Sequence, residues 1–128
     1  MTMFTNRSRE ERVAEFNEAG GNEKYADGGG VGVHVVCFAE ELEEFNEAMT
    51  EYLIEQTEEN RAKMIKEWAD CQVTLSNFAW FFDFNGNVAF NRVADSNMSK
   101  LTDGKLERRE DGKILKGPDY KAPDMRGL

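Results

Sequence analysis

The sequence is poor in the residues that mark disulfide-rich, nucleic-acid-binding and membrane proteins. Its 2 cysteines imply no disulfide framework, and its only histidine, His34, lacks a second His or Cys at metal-ligand spacing. Lys and Arg number 16 against 25 Asp and Glu, which gives a net charge of −9 and argues against binding to nucleic-acid phosphates. No apolar run approaches the ~20 residues of a membrane span. We therefore expect neither a nucleic-acid partner nor membrane insertion.

The residues that are present indicate a globular chain. Hydrophobic residues make up 40%, with 9 Phe and 2 Trp, which is not the composition of a disordered protein. A length of 128 residues suits one hydrophobic core. We predict a single domain over residues 1–128, irregular at 1–7 and 118–128. The stretch "MTMFTNRSREER" has no apolar signal core, so we expect a cytoplasmic location.

Apolar spacing and capping signals predict four helices. "SREE" is typical of a capping box, a Gly-Gly pair ends the first helix, and Thr57 followed by two acids is typical of an N-cap. The helices are predicted from Ser8 to Gly20, from Val33 to about Ile54, from Thr57 to Phe82 and from about Val88 to Leu101. The aromatic residues expected in the core are Phe45, Trp68, Phe78 and Phe82.

The C-terminal tail differs from the helical part. Asp111-Gly112 stands between "KLERRE" and "KILK", which predicts a hairpin with a type I′ turn. Pro118 and Pro123 favour an extended, irregular end. The predicted fold class is therefore all-α, with a short C-terminal β-hairpin and an extended tail.

Two pairs of acids have matching positions on neighbouring helices. Glu41 and Glu44 lie on one flank of the apolar stripe of the second helix. Glu67 and Asp70 lie on the same flank of the third, in the same sense. The short connection at 55–57 predicts an antiparallel pair, which leaves both flanks on one side, and both acid pairs are equally far from the turn. We expect four carboxylates to meet at one level.

Converging carboxylates repel one another unless a cation neutralises them. An all-oxygen ligand set suits Mg²⁺ or Mn²⁺. The alternative is that these acids are solvated surface charges, which are common in a chain with 25 acidic residues. The corresponding alternative function is a non-catalytic acidic binding protein, such as a nucleic-acid mimic.

The acid spacing also resembles a known family. "EELEEFNEA" followed by "KEWADCQVTL" resembles the E-x-x-E and E-x-x-D metal signature of the all-α nucleoside triphosphate pyrophosphohydrolases, the MazG-like superfamily. "SNMSKLTDGKLERREDGKILKGPDYKAPDM" resembles the C-terminal segment of its phage-type branch. The two stretches cover most of the chain from Glu40 onward. In the first helix, where such proteins often have Phe-His, this chain has Phe16-Asn17.

The resemblance implies a four-helix MazG-like bundle that hydrolyses a nucleoside triphosphate to the monophosphate and pyrophosphate. Glu41, Glu44, Glu67 and Asp70 would hold two or more Mg²⁺ (or Mn²⁺) ions, and Glu41 or Glu44 would also act as the catalytic base. The phage branch implies a purine deoxynucleotide such as dGTP or dATP. Activity like that of dimeric dUTPases or phosphoribosyl-ATP pyrophosphohydrolases is the alternative within the superfamily. Relatives are homodimers or homotetramers, and a phage-encoded member would act in the host cytoplasm.

Four residues are candidates for binding the phosphates. Asn97 and Lys100 match the positions at which the family holds substrate phosphates, and Arg92 can share a broad face with them. Lys116, in the predicted hairpin, could close over a triphosphate. The alternative for all four is ordinary surface solvation.

Two aromatic residues, Phe16 and Trp80, are candidates for stacking on the base. Lys63, one turn before Glu67, is predicted on the acidic flank of the third helix.

Overall fold

The computed structural model describes residues 6–128, so the first part of the predicted irregular N-terminus lies outside it. Residues 6–128 contain four α-helices, one short 3-10 helix and no strand, which confirms the all-α class. The elements are α1 (Arg9–Ala19), the 3-10 helix Tyr25–Asp27, α2 (Gly32–Ile54), α3 (Glu58–Phe81) and α4 (Gly86–Met98). None of the helices in the described range is long and apolar enough to cross a membrane.

The helices begin where short polar side chains can cap them. In three of them the residue before the helix accepts a hydrogen bond from a backbone N–H of the first turn, at 3.1 Å: Ser8 from Glu11, Thr57 from Asn60 and Asn85 from Val88. The caps at Ser8 and Thr57 agree with the sequence prediction. The cap at Asn85 does not, so α4 begins at Gly86 instead of Val88 and ends at Met98, before the predicted Leu101.

The chain forms two compact units, the first ending at Phe84 and the second spanning Asn85–Leu128. In the first, α3 packs against both α1 and α2. The α2–α3 pair is antiparallel. Near the turn Lys63 Nζ lies 3.8 Å from Glu51, and at the far end the ring centroids of His34 and Phe81 are 4.3 Å apart. The predicted helical hairpin is therefore present.

The centre of the first unit is Phe81, whose side chain is fully buried. Its ring contacts those of His34, Phe82 and Tyr25, at 4.3, 4.9 and 6.0 Å between centroids. The prediction that Trp68 and Phe82 lie in the core is wrong, because each is 45% exposed. The Arg9 guanidinium of α1 lies 5.7 Å from the centre of the Trp68 ring, but it leaves nearly half of Trp68 exposed.

An exposed apolar surface results on the α2–α3 hairpin, which we call the outer apolar stripe. Its members are all at least 45% exposed and recur two or three turns apart along each helix: Val35, Leu42 and Leu53 on α2, and Trp68, Leu75 and Phe82 on α3. Residues at this spacing share one face of a helix. The stripe runs over most of the length of α2 and over more than half of α3.

A chain of side-chain hydrogen bonds links the three helices of the first unit. Asn17, on α1, is buried and donates to the carbonyl of Val13 at 3.0 Å and to Asn77 Oδ1 at 2.8 Å. Its own Oδ1 accepts from Asn22 at 2.8 Å. Asn77 Nδ2 lies 2.7 Å from His34 Nδ1, which extends the network to α2. Buried amides of this kind are stabilised by having their partners supplied within the fold.

The tail forms turns instead of the two predicted strands. It contains two isolated antiparallel bridges, Thr102↔Lys105 and Arg108↔Ile114. The prediction of a type I′ turn at Asp111-Gly112 is wrong, since that turn needs positive φ at both residues and only Gly112 has it, at 88°. The Gly112 N–H instead donates to the carbonyl of Arg109 at 2.9 Å, and the Asp111 carboxylate pairs with the guanidinium of Arg109 at 2.6 Å.

The type I′ geometry occurs at the preceding Asp-Gly pair. Asp103 and Gly104 have φ values of 51° and 75°. The flanking residues exchange both backbone hydrogen bonds, from Thr102 N–H to Lys105 at 2.8 Å and from Lys105 N–H to Thr102 at 3.0 Å. The same dipeptide therefore forms two different turns in one tail.

Candidate metal centre

Three of the four predicted acids lie together on the α2–α3 hairpin. Glu41 of α2 and Glu67 and Asp70 of α3 each offer a carboxylate oxygen, and these oxygens all lie within 4.8 Å of one another. The two helices bring them together because they run antiparallel, with Cys71 Sγ donating across the pair to the Glu41 carbonyl at 3.3 Å. We call Glu41, Glu67 and Asp70 the acid triad.

Two oxygens of the acid triad are buried and unsatisfied. Glu41 Oε2 and Glu67 Oε2 are out of contact with solvent and have no hydrogen-bond partner among residues 6–128. The side chains of Glu67 and Asp70 are only 18% and 33% exposed. Leaving a buried polar atom without a hydrogen-bond partner costs about 1–3 kcal/mol, and more when the group is charged. The triad is therefore a place that favours a cation.

The electrostatics of the triad follow from this crowding. Burial raises the pKa of Glu41 above its ordinary value, and the neighbouring charge of Asp70 raises it further. The charges of Glu44 and Glu67 act in the same direction. Burial also raises the pKa of the Cys71 thiol, with Glu41 as the next cause, so Cys71 is disfavoured as a thiolate nucleophile.

Glu44, the fourth predicted acid, lies outside the triad and is exposed. It follows Glu41 by one turn, close enough for its charge to raise the pKa of Glu41. Its carboxylate is thus beside the triad and open to solvent. The predicted set of four acids at one level is reduced to three, with Glu44 at the edge.

A lysine outside the predicted set of site residues lies at the triad. Lys66 Nζ is 2.7 Å from Asp70 Oδ2 and 3.5 Å from Glu67 Oε1. The i,i+4 spacing of Lys66 and Asp70 is the signal in the sequence that could have indicated it. Lys63, predicted on the acidic flank, instead lies 3.8 Å from Glu51, nearer the turn.

The residues present fit a hard divalent cation. All the triad's ligand atoms are carboxylate oxygens, as Mg²⁺ and Mn²⁺ prefer. Two of those oxygens lack any donor within the described chain, so a cation would supply the interaction they are missing. Three carboxylates leave coordination positions for water or phosphate oxygens, which Mg²⁺ commonly retains.

The candidate phosphate-binding residues all lie in the second unit. Arg92 is partly committed to the fold, since its Nη1 donates to the carbonyls of Asp124 at 2.8 Å and Arg126 at 3.2 Å. Arg92 thus anchors the tail to α4. Its remaining guanidinium donors can still meet an anion.

The structure brings together two of the other candidates, Lys100 and Lys116. The carbonyl of Lys100 accepts from the N–H of Gly117, the residue after Lys116, at 3.2 Å. Lys116 Nζ lies 4.6 Å from the centre of the Tyr120 ring. Asn97 is exposed at the end of α4, and its carbonyl accepts from the Lys100 N–H at 3.1 Å.

The two candidate base-stacking residues have very different surroundings. Phe16 is 74% exposed on α1. Trp80 is only 8% exposed and lies in the core of the first unit, with Lys24 Nζ 5.6 Å from its ring centre. In this conformation Trp80 does not offer a free face to a base, because the helix turns it inward between its neighbours.

No protein-family model matches the chain, and no curated protein matches it significantly. Membership of the MazG-like superfamily therefore stays a prediction from the sequence motifs.

The crowding at Glu41 predicts a pH-dependent stability in metal-free protein. A carboxyl with a raised pKa binds its proton more tightly in the folded state. The contribution of Glu41 to wild-type stability therefore falls as pH rises from about 4.3, the unfolded value, through the raised folded pKa. Glu41→Gln removes this loss. We expect its melting temperature in EDTA to match wild type in acid and exceed it near neutral pH. Glu43→Gln, exposed and away from the triad, is the control, and an equal gain in that variant would contradict the assignment.

Proposed function

We propose that this protein is a metal-dependent nucleoside triphosphate pyrophosphohydrolase with a MazG-like four-helix fold, releasing a monophosphate and pyrophosphate. The observation that carries the proposal is the acid triad, in which Glu41 of the E-x-x-E motif meets both acids of the E-x-x-D motif. Two buried oxygens of the triad have no donor among residues 6–128. The tail motif supports the same family. The cytoplasm is the proposed location, that of the host if the chain is phage-encoded.

The roles of the acids follow from their positions. Glu41, Glu67 and Asp70 are assigned to hold Mg²⁺ or Mn²⁺. Such a cation supplies a water of lowered pKa and neutralises phosphate charge when it is bound. Glu44 is assigned as the general base, because it lies beside the triad, is solvent-accessible and is not one of its three members. Glu44 could also complete the ligand set of a second ion, which the family resemblance implies.

The substrate is proposed to be a purine deoxynucleoside triphosphate, dGTP or dATP. Lys100, Lys116, Asn97 and the remaining donors of Arg92 are assigned to its phosphates. The sequence resemblance alone supports the choice of base. A dUTPase-like or phosphoribosyl-ATP pyrophosphohydrolase-like specificity is the alternative that a substrate screen would reveal.

The triad favours an enzyme over an acidic mimic of nucleic acid. A mimic needs charges spread over its surface at the spacing of phosphates, exposed to a basic partner. Here two of the triad's oxygens are buried and the three carboxylates face one another. Such an arrangement would weaken a mimic, because it hides the charge that a partner would bind.

The products test the proposal directly. With Mg²⁺ and each common NTP and dNTP, we expect pyrophosphate and the nucleoside monophosphate, detected by pyrophosphate assay and anion-exchange chromatography. Glu44→Gln should lower turnover by about 10²- to 10⁴-fold, the usual contribution of a general base, whereas Glu43→Gln should leave it unchanged. Orthophosphate with a nucleoside diphosphate as products, or full activity in Glu44→Gln, would contradict the proposal.

Lys66 should compete with a cation at the triad. Its ammonium lies where positive charge is favoured, so Lys66→Gln removes a repulsion toward the metal. Because Lys66 is 67% exposed, we expect a modest gain, about two- to five-fold in Mn²⁺ affinity by calorimetry without nucleotide. Lys63→Gln, which loses only a contact with Glu51, is the matched control. Equal changes in both variants would mean a general charge effect and not a local one.

We further propose that the outer apolar stripe is buried in a homodimer or homotetramer. An apolar surface running over two helices is costly to leave in water, and packing a second hairpin on it would complete a helical bundle. Sedimentation equilibrium should give at least twice the 14.6 kDa of one chain. Leu75→Gln should raise the dissociation constant about tenfold or more, with Glu43→Gln as control. A wild-type monomer at micromolar concentration would contradict this assignment.

A further inference from the structure

The end of α4 and the tail meet at one glycine in the second unit. The N–H of Gly117 donates to the carbonyl of Lys100 at 3.2 Å. Since Gly117 directly follows Lys116, this bond places the backbones of two lysines side by side although they are distant in sequence. Lys100 and Lys116 both lack a carboxylate partner within 4.0 Å in the described part of the chain, so neither charge is neutralised there.

No other residue fits at position 117 without displacing this junction. A Cβ there would lie 2.4 Å from Thr102 Oγ1 and 2.9 Å from the carbonyl oxygen of Lys100. The second of these is a backbone atom and cannot rotate away. Glycine is therefore required by close approach and not by its backbone conformation.

The turn after Gly117 carries Tyr120 back to Lys116. Tyr120 N–H donates to the Gly117 carbonyl at 3.2 Å, and Pro118 occupies the second position of this turn, where its fixed φ is favoured. Lys116 Nζ then lies 4.6 Å from the centre of the Tyr120 ring, within the ~6 Å range of a cation–π contact.

A ring holds a lysine differently from a carboxylate. A carboxylate would cancel the charge and occupy the ammonium's hydrogen-bond donors. An aromatic face attracts the ammonium on one side and leaves donors free for an anion, since a lysine has three. Holding the flexible lysine stem in advance also lowers the entropy that binding would otherwise cost.

We propose that Tyr120 is a positioning residue: its ring holds the Lys116 ammonium beside Lys100 so that both lysines meet the phosphate groups of a bound nucleotide, with Gly117 fixing their spacing. This inference rests on the proposed function for the identity of the ligand. It goes beyond that function because it gives a role to Tyr120 and Gly117, which contact neither metal nor substrate.

The test is a double-mutant cycle on the full chain, with inorganic triphosphate and Mg²⁺ as the calorimetric probe. Tyr120→Leu should weaken binding about two- to five-fold, the effect of losing one cation–π contact. Tyr120→Phe, which keeps the ring, should bind like wild type. In a Lys116→Ala background Tyr120→Leu should have no further effect, because the group it positions is gone.

Gly117→Ala provides a second variant, expected to weaken triphosphate binding because it separates Lys116 from Lys100. Unfolding by circular dichroism checks that each variant is folded. An undiminished affinity in Tyr120→Leu, or the same loss with and without Lys116, would overturn the inference, as would wild-type protein that does not bind triphosphate. Wild type that binds triphosphate but hydrolyses no nucleotide would overturn the proposed function alone.

Discussion

The antiparallel register of α2 and α3 is the constraint on which the candidate site depends. It is set at the connection between the helices, where buried Asn60 takes part in two hydrogen bonds. Its backbone N–H donates to the cap Thr57 at 3.1 Å, and its side chain donates to the carbonyl of Glu55 at 2.9 Å. The turn is thereby tied to both helix ends. A slip of one residue would rotate the acids of one helix away from those of the other, because successive helical residues point about 100° apart.

That register gathers negative charge where the fold gains little from it. The helices could pair with neutral residues at Glu41 and Glu67 and would then avoid two buried oxygens that find no donor in the described part of the chain. Lys66 offsets part of the repulsion, but from an exposed position, where an ion pair contributes little. Local conflict of this kind, in a hairpin whose turn and α3 cap are otherwise well satisfied, is expected at a functional site more than at a structural one.

The sequence predicts those features that depend on neighbouring residues. The caps at Ser8 and Thr57 and the bounds of α2 follow from local hydrogen bonding and apolar spacing, and so does the convergence of three acids, which needs only helix geometry and a short turn. Features that depend on packing with a more distant part of the chain cannot be predicted from local sequence. Phe81 lies off the apolar stripe of α3 but becomes the buried centre, because His34 and Tyr25 converge on it. Glu44 lies on the same flank of α2 as Glu41, so the helical spacing alone assigns both to the site. Its carboxylate is nevertheless not among those that meet across the α2–α3 pair.

Asn17 stands where proteins of the MazG-like superfamily often have a histidine. Its packing bears on how a base would be recognised under the proposed function. Both hydrogens of its side-chain amide are committed, to Val13 and Asn77, and its oxygen already accepts from Asn22. The residue is 3% exposed. An amide so placed joins α1 to α3 and cannot turn toward a nucleotide without leaving buried groups unpaired, which costs about 1–3 kcal/mol for each. Where proteins of the MazG-like superfamily often have a histidine, this chain therefore has a structural link. Under the proposed function, we expect other residues to recognise the base.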